Sequence, residues 1–236
     1  MIAGFIITGT QDKKVILRGI GSSLPIFDRL ENPTLELRNS SGTLLDFNDN
    51  WQDSPNRQAI IDSTIPPAND LEAAIVATLP ANNAQYTAIL RGAESGTGIG
   101  VVEAYDLNLG ADSKLANIST RGLVQTGDNV LFAGTIVVGE ASQRVIIRAL
   151  GPSVPAQGNM ADPTLELRDG NGAVLEFNDN WEDSPNRQAI IDTGIPPSNA
   201  LESAIVRTLS AANYTAIVRG AGESTGIAVV EVYALN

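Results

Sequence analysis

Apolar and polar residues follow one another along this chain in short runs with the period of two that half-buried strands require. Val15-Ile-Leu-Arg18, Thr34-Leu-Glu-Leu-Arg38, Thr43-Leu-Leu-Asp-Phe47, Tyr86-Thr-Ala-Ile-Leu-Arg91 and Ile99-Gly-Val-Val-Glu-Ala-Tyr105 are rich in β-branched or aromatic residues and bounded by Gly, Asn and Ser. Each predicts a strand. Ser40-Ser-Gly42 and Asp169-Gly-Asn-Gly172 have the composition of hairpin turns. Helical signals are brief. Ser54 followed by Pro55 predicts one helical turn over the stretch to Asp62, and Asn69-Asp-Leu-Glu-Ala-Ala predicts another. Many short strands without a long helix predict an all-β fold of antiparallel sandwiches.

The pattern occurs twice. Phe47-Asn-Asp-Asn-Trp51 and the stretch from Asp53 to Asp62 return as Phe177-Asn-Asp-Asn-Trp181 and Asp183 to Asp192. Gly4 falls on Gly134, Arg18 on Arg148 and Pro33 on Pro163. After an extra turn in 80–85 of the first copy, Tyr86 falls on Tyr214 and Tyr105 on Tyr233. A repeat of this length means two folded units of one kind. The expected division is 1–108 for the first β-sandwich, 109–113 for a linker and 114–236 for the second. Residues 114–133 have strand character and no counterpart in the first copy, because Met1-Ile-Ala-Gly4 aligns with Leu131-Phe-Ala-Gly134. The first sandwich is therefore expected to lack its first strand. Three explanations stay open: a piece of a longer tandem chain, a strand supplied by a neighbour, or a tolerated shorter sheet.

Composition narrows the partners. Of 236 residues, 18% are charged, with a formal net charge of −12. That balance repels polyanions, so no nucleic-acid partner is expected, and cations are favoured. Cysteine and histidine are absent. Disulfides, thiolate metal sites and the usual general base are thereby excluded. No apolar run reaches the ~18 residues of a spanning helix, so the chain is not expected to span a membrane. Its start lacks the basic stretch of an ordinary signal peptide.

Candidate chemistry is confined to the repeated acidic turn. Asp46, Asn48, Asp49 and Asp53, with Glu176, Asn178, Asp179 and Asp183, put hard oxygen donors close together. Such donors suit Ca2+. The spacing is not that of an EF-hand, and the same side chains equally suit turns that cap backbone groups. Trp51 and Trp181 suit either packing over a small core or stacking on a sugar. Arg18, Arg38, Arg91 and their mates suit pairing with Glu36, Glu103 and their mates, or a basic stripe. Gly92–Gly98 and Gly220–Gly226 read as hairpin turns rather than phosphate loops, since no helix and no lysine accompany them. Asn117-Ile-Ser119 and Asn213-Tyr-Thr215 match the N-glycan acceptor pattern. No nucleophile–base pair stands out, and no enzymatic activity is expected.

The order Pro33-Thr-Leu-Glu-Leu-Arg, Ser41-Gly-Thr-Leu-Leu, Asn48-Asp-Asn, Ala73-Ala-Ile-Val-Ala-Thr-Leu, Tyr86-Thr-Ala-Ile and Val102-Glu-Ala-Tyr105 resembles bacterial pre-peptidase C-terminal modules and the related collagen-binding domains. The second copy repeats it from Pro163 to Tyr233. The chain is also similar to tandem repeats of large bacterial surface proteins. The resemblance implies jelly-roll-like β-sandwiches, export to the extracellular space or cell surface, and Ca2+ in the Asn-Asp turn. Here the usual paired aspartates read Asp49-Asn50. Together these readings predict an extracellular structural protein, a homo-oligomer or homopolymer forming a fibre, tube or surface layer, with strand complementation between subunits as one route. The alternative is a Ca2+-dependent adhesion module for a glycan or another surface ligand.

Overall fold

The computed structural model describes residues 1–81, 83 and 85–235. The extra turn expected in 80–85 lies partly outside the described residues, as does the chain's last position, Asn236. The fold is all-β and divides into two compact units, Met1–Ala116 and Asn117–Asn236.

Unit 1 contains β1 (Ile2–Gly9), β2 (Lys13–Ile20), β3 (Pro33–Arg38), β4 (Leu44–Asn48), β5 (Ala73–Leu79), β6 (Gln85–Gly92) and β7 (Val101–Asp106), with one short helix, α1 (Arg57–Asp62). One sheet has the order β5-β2-β7 and the other contains β1-β6-β3-β4. The next strand, β8 (Ser113–Val124), starts in unit 1 and continues into unit 2. The segment expected as a linker is held against β1: the Thr10 and Gln11 amides donate to the Asp112 carbonyl at 2.8 and 3.3 Å. Gly9 allows this approach, for its φ is +112° and a Cβ there would lie 2.2 Å from that oxygen.

Unit 2 adds β9 (Leu131–Val137), β10 (Gln143–Leu150), β11 (Pro163–Asp169), β12 (Val174–Asn178), β13 (Ser203–Leu209), β14 (Ala212–Gly220), β15 (Gly226–Ala234) and α2 (Arg187–Ile191). Its sheets run β13-β10-β15-β8 and β12-β11-β14-β9. Counted within the unit, these orders are 6-3-8-1 and 5-4-7-2, the double Greek key of a jelly roll. The described strands of unit 1 correspond to the second to the eighth, in the orders 6-3-8 and 5-4-7-2.

The cores follow from the alternation. In β2, Val15 and Leu17 face the space between the sheets, where Phe5, Leu35, Leu37, Ile75 and Leu90 fill unit 1. Ile16 faces the other way yet is equally buried, under Trp51 and Ile60. In β10, Val145 and Ile147 face inward, while Ile146 lies under Trp181 and Ile190. A strand covered on both faces reads as a continuous apolar run, which is why Val15-Ile-Leu and Val145-Ile-Ile do not alternate. The repeated Asn-Asp-Asn-Trp turn and its helix are thus the lid over the outer face of one sheet. The helix begins at Arg57, two residues past Pro55, with the Asn56 amide donating to Ser54 Oγ at 3.1 Å. The second helical turn expected at 69–74 is instead a tight turn running into β5.

The glycine-rich segments also differ from expectation. Gly92–Gly98 joins β6 to β7 and Gly220–Gly226 joins β14 to β15, and in each case the two strands belong to opposite sheets. They are sheet-to-sheet crossings, not hairpin turns. The expected hairpins at 40–42 and 169–172 do form, between paired strands.

Candidate functional site

β4 and β12 deliver the repeated turn, and their last residues anchor it. The Asn48 side chain is buried; its Nδ2 donates to the Asn50 carbonyl at 3.0 Å and its Oδ1 accepts the Ala74 amide at 2.8 Å. Asn178 repeats both bonds, at 3.1 Å to the Asn180 carbonyl and 2.8 Å from the Ala204 amide. A 3-10 turn over Trp51–Asp53 follows, closed by the Asp53 amide on the Asn50 carbonyl at 3.0 Å; Trp181–Asp183 matches it, with Asp183 on Asn180 at 3.1 Å. The indoles are 7% exposed, and each Nε1 donates to a main-chain carbonyl, Asn69 at 3.1 Å or Asn199 at 3.0 Å. Both tryptophans are core residues with satisfied N–H groups, and they present no ring for a sugar.

The remaining candidate donors diverge. Asp46 Oδ1 accepts the Phe47 amide at 2.8 Å. Glu176 accepts Asn186 Nδ2 and Arg207 Nη1, both at 3.3 Å. Asp49 and Asp179 differ from these. Their Oδ1 atoms are closed off from solvent and accept no hydrogen bond from any described residue. The same holds for Oδ1 of the neighbouring Asn50 and Asn180, and of Asn32 and Asp162 just before β3 and β11. An unpaired buried acceptor costs about 1–3 kcal/mol. Three at equivalent positions in both copies point to a shared missing donor, a water or a cation. In unit 2 the Asp162 carboxyl titrates above its ordinary value, because burial and then the neighbouring Asp179 charge disfavour its ionised form. A hard cation held there would reverse that balance. The second copy has two carboxylates among its three orphaned oxygens, the first only one. No group of three or more acidic side chains converges among the described residues.

Sequence reasoning missed the most heavily bonded acids. Glu72 and Glu202 are wholly buried. Glu72 Oε1 accepts the Gly21 amide at 3.0 Å, the Ser23 amide at 2.9 Å and Ser23 Oγ at 2.7 Å; Oε2 accepts the Asn69 amide at 3.3 Å. Glu202 has the same partners in Gly151, Ser153 and Asn199. Each ties the loop after the third jelly-roll strand to the loop before the sixth. Their recurrence at aligned positions was the available signal.

The arginines pair as expected. Arg18 and Arg148 bind Glu103 and Glu231 and lie 5.2 Å over the rings of Tyr105 and Tyr233. Arg38 and Arg168 bind Glu36 and Glu166. Of the two glycan acceptors, Asn117 is buried, with Nδ2 donating to the Val232 carbonyl at 3.2 Å, and Asn213 is exposed.

No protein-family model matches the chain, and no curated protein matches it. Among solved structures, one similar chain comes from the Sulfolobus turreted icosahedral virus, with 12% identity over 98% of this chain and 88% of that one, at a TM-score of 0.25. Another is the VP2 subviral particle of infectious bursal disease virus, with 10% identity over 98% and 68%, at 0.23. Scores at this level carry no weight for function.

Proposed function

We propose that this is an extracellular structural protein whose jelly-roll units self-assemble into a fibre, tube or surface layer. One observation carries the reading: in both units the strand that ends the sheet beside β3 or β11 holds exposed apolar side chains, Leu44, Leu45 and Phe47 in β4 and Val174 and Phe177 in β12. Unpaired main-chain donors and acceptors along such an edge are a template for association. The repeated acidic turn, given over to Asn48, Trp51 and backbone capping, supports a building block better than a reacting centre. Sedimentation velocity of the full chain over a wide concentration range, with electron microscopy at the top of it, tests this. Growth to particles much larger than 24.8 kDa is expected; a monomer at every concentration overturns it.

A second reading, a Ca2+-dependent adhesion module, is favoured by the orphaned oxygens of Asp162, Asp179 and Asn180. Calorimetric titration of the full chain with Ca2+ should show weak binding, of the order of 10⁻⁴–10⁻³ M, lost in Asp179→Ala. No heat, or heat unchanged in that variant, removes this reading.

A further inference from the structure

We infer that the cleft between β4 and β5 of unit 1 binds an alkylguanidinium group, the chemistry of an arginine side chain, with Asp46 as its counter-charge. The site is independent of the self-assembly proposed above and is complete within one chain.

β4 and β5 each end a sheet of unit 1, and the two strands lie against one another. The open cleft between them measures about 520 Å³. Leu37, Val76, Leu79 and Tyr86 supply apolar walls, and Leu45, Asp46 and Ala77 line it as well. Unit 2 has β12 and β13 at these places, with Leu175 and Glu176 for Leu45 and Asp46 and Arg207 for Ala77. Arg207 spans the corresponding space. Its Nη1 reaches from β13 to β12 and donates to the Leu175 carbonyl and to Glu176 Oε2, both at 3.3 Å. Beside it Leu175 is only partly exposed and packs against the core of unit 2.

Unit 1 keeps the acceptors of that arrangement and lacks its cation. Ala77 carries only a methyl group, and Leu45 is 45% exposed. Asp46 Oδ1 accepts the Phe47 amide at 2.8 Å, and no described lysine or arginine pairs with the carboxylate. A guanidinium suits the place for two reasons. Its planar fork of N–H donors serves a carboxylate and a nearby carbonyl together, as Arg207 does, and its alkyl stem lies against apolar walls. A primary ammonium is a compact, strongly hydrated point charge and gains less from the same surroundings. The net charge of −12 favours the approach of either cation.

The probe is n-propylguanidinium, which is the arginine side chain from Cβ outward. It is titrated into the isotope-labelled full chain at a dilute concentration, and backbone amide shifts are followed by NMR. Saturable shifts are expected at Leu45, Asp46, Ala77 and Thr78. Propylammonium should bind the same place several-fold more weakly; equal binding overturns the guanidinium assignment. Asp46→Asn should weaken the binding of propylguanidinium several-fold. Ala77→Arg, which places in unit 1 the side chain that unit 2 already has, should abolish it. Arg207→Ala should do the reverse, opening the sister cleft and adding saturable shifts at 175–176 and 206–208. Spectra unchanged away from the cleft confirm that each variant is folded. No saturable shift in the parent chain overturns the site. So do binding that survives in Ala77→Arg or is undiminished in Asp46→Asn, and an Arg207→Ala chain that gains no second response.

Discussion

Glu72 and Glu202 show what single residues contribute to this fold. Each fully buried carboxylate collects four donors from two loops. Glu202→Ala leaves several of them unpaired, and the expected loss is at least ~2 kcal/mol. Calorimetry should show that unit melting roughly 10 °C lower. Lys13 is a second case. It is fully buried, with Nζ 2.8 Å from Asp106 Oδ2 and 2.7 Å from the Asn108 carbonyl. At the matching site of unit 2, Gln143 donates to the Leu235 carbonyl at 2.7 Å and Ala234 replaces the acid. Lys13→Met should cost about 3 kcal/mol by stranding Asp106, while Lys13→Gln/Asp106→Ala should stay within about 1 kcal/mol of the parent. Chemical denaturation of the three chains decides this. Asp162 gives a pH test. Its raised pKa means that the folded state holds the proton more tightly than the unfolded one, so stability falls as pH rises from the ordinary carboxyl pKa through the raised one. Asp162→Asn, which copies Asn32, should raise Tm at pH 7 by on the order of 1 °C and flatten that fall. A lower Tm in the presence of EDTA would mean that Asp162 contributes through a bound cation instead. Of these three sites only the first left a mark in the sequence, the recurrence of Glu72 as Glu202; a buried acid or lysine has no periodic pattern and is specified by the loops that meet it.

Elements were far more legible. Alternation placed β3, β4 and β6 within a residue or two, and Ser40-Ser-Gly42 and Asp169-Gly-Asn-Gly172 located both β3–β4-type hairpins. The glycine-rich segments misled because turn chemistry reports a local change of direction and not whether the next strand stays in the same sheet. Gly92 and Gly220 are needed for close packing within that crossing, where a Cβ would lie 2.1 Å from the carbonyl of Gly96 or Ser224. The Trp51 and Trp181 lids were ambiguous for a related reason: an aromatic beside polar residues reads equally as a core plug and a ligand platform. Trp51→Ala should expose Ile16 and Ile60 and cost about 3–5 kcal/mol, with chemical denaturation followed by far-UV circular dichroism as the check.

For the whole molecule, duplication made two units legible, each with its own core. The order of the strands in the sheets was not, because topology decides it. The first strand of a jelly roll lies beside the eighth, so β8 pairs with β15, far away in sequence. The most direct measurement is hydrogen exchange on the dilute and the concentrated full chain, followed at residues 44–48 and 174–178. The account predicts fast exchange in both strands when dilute and slower exchange on concentration. Exchange that stays the same in both strands at every concentration would contradict it.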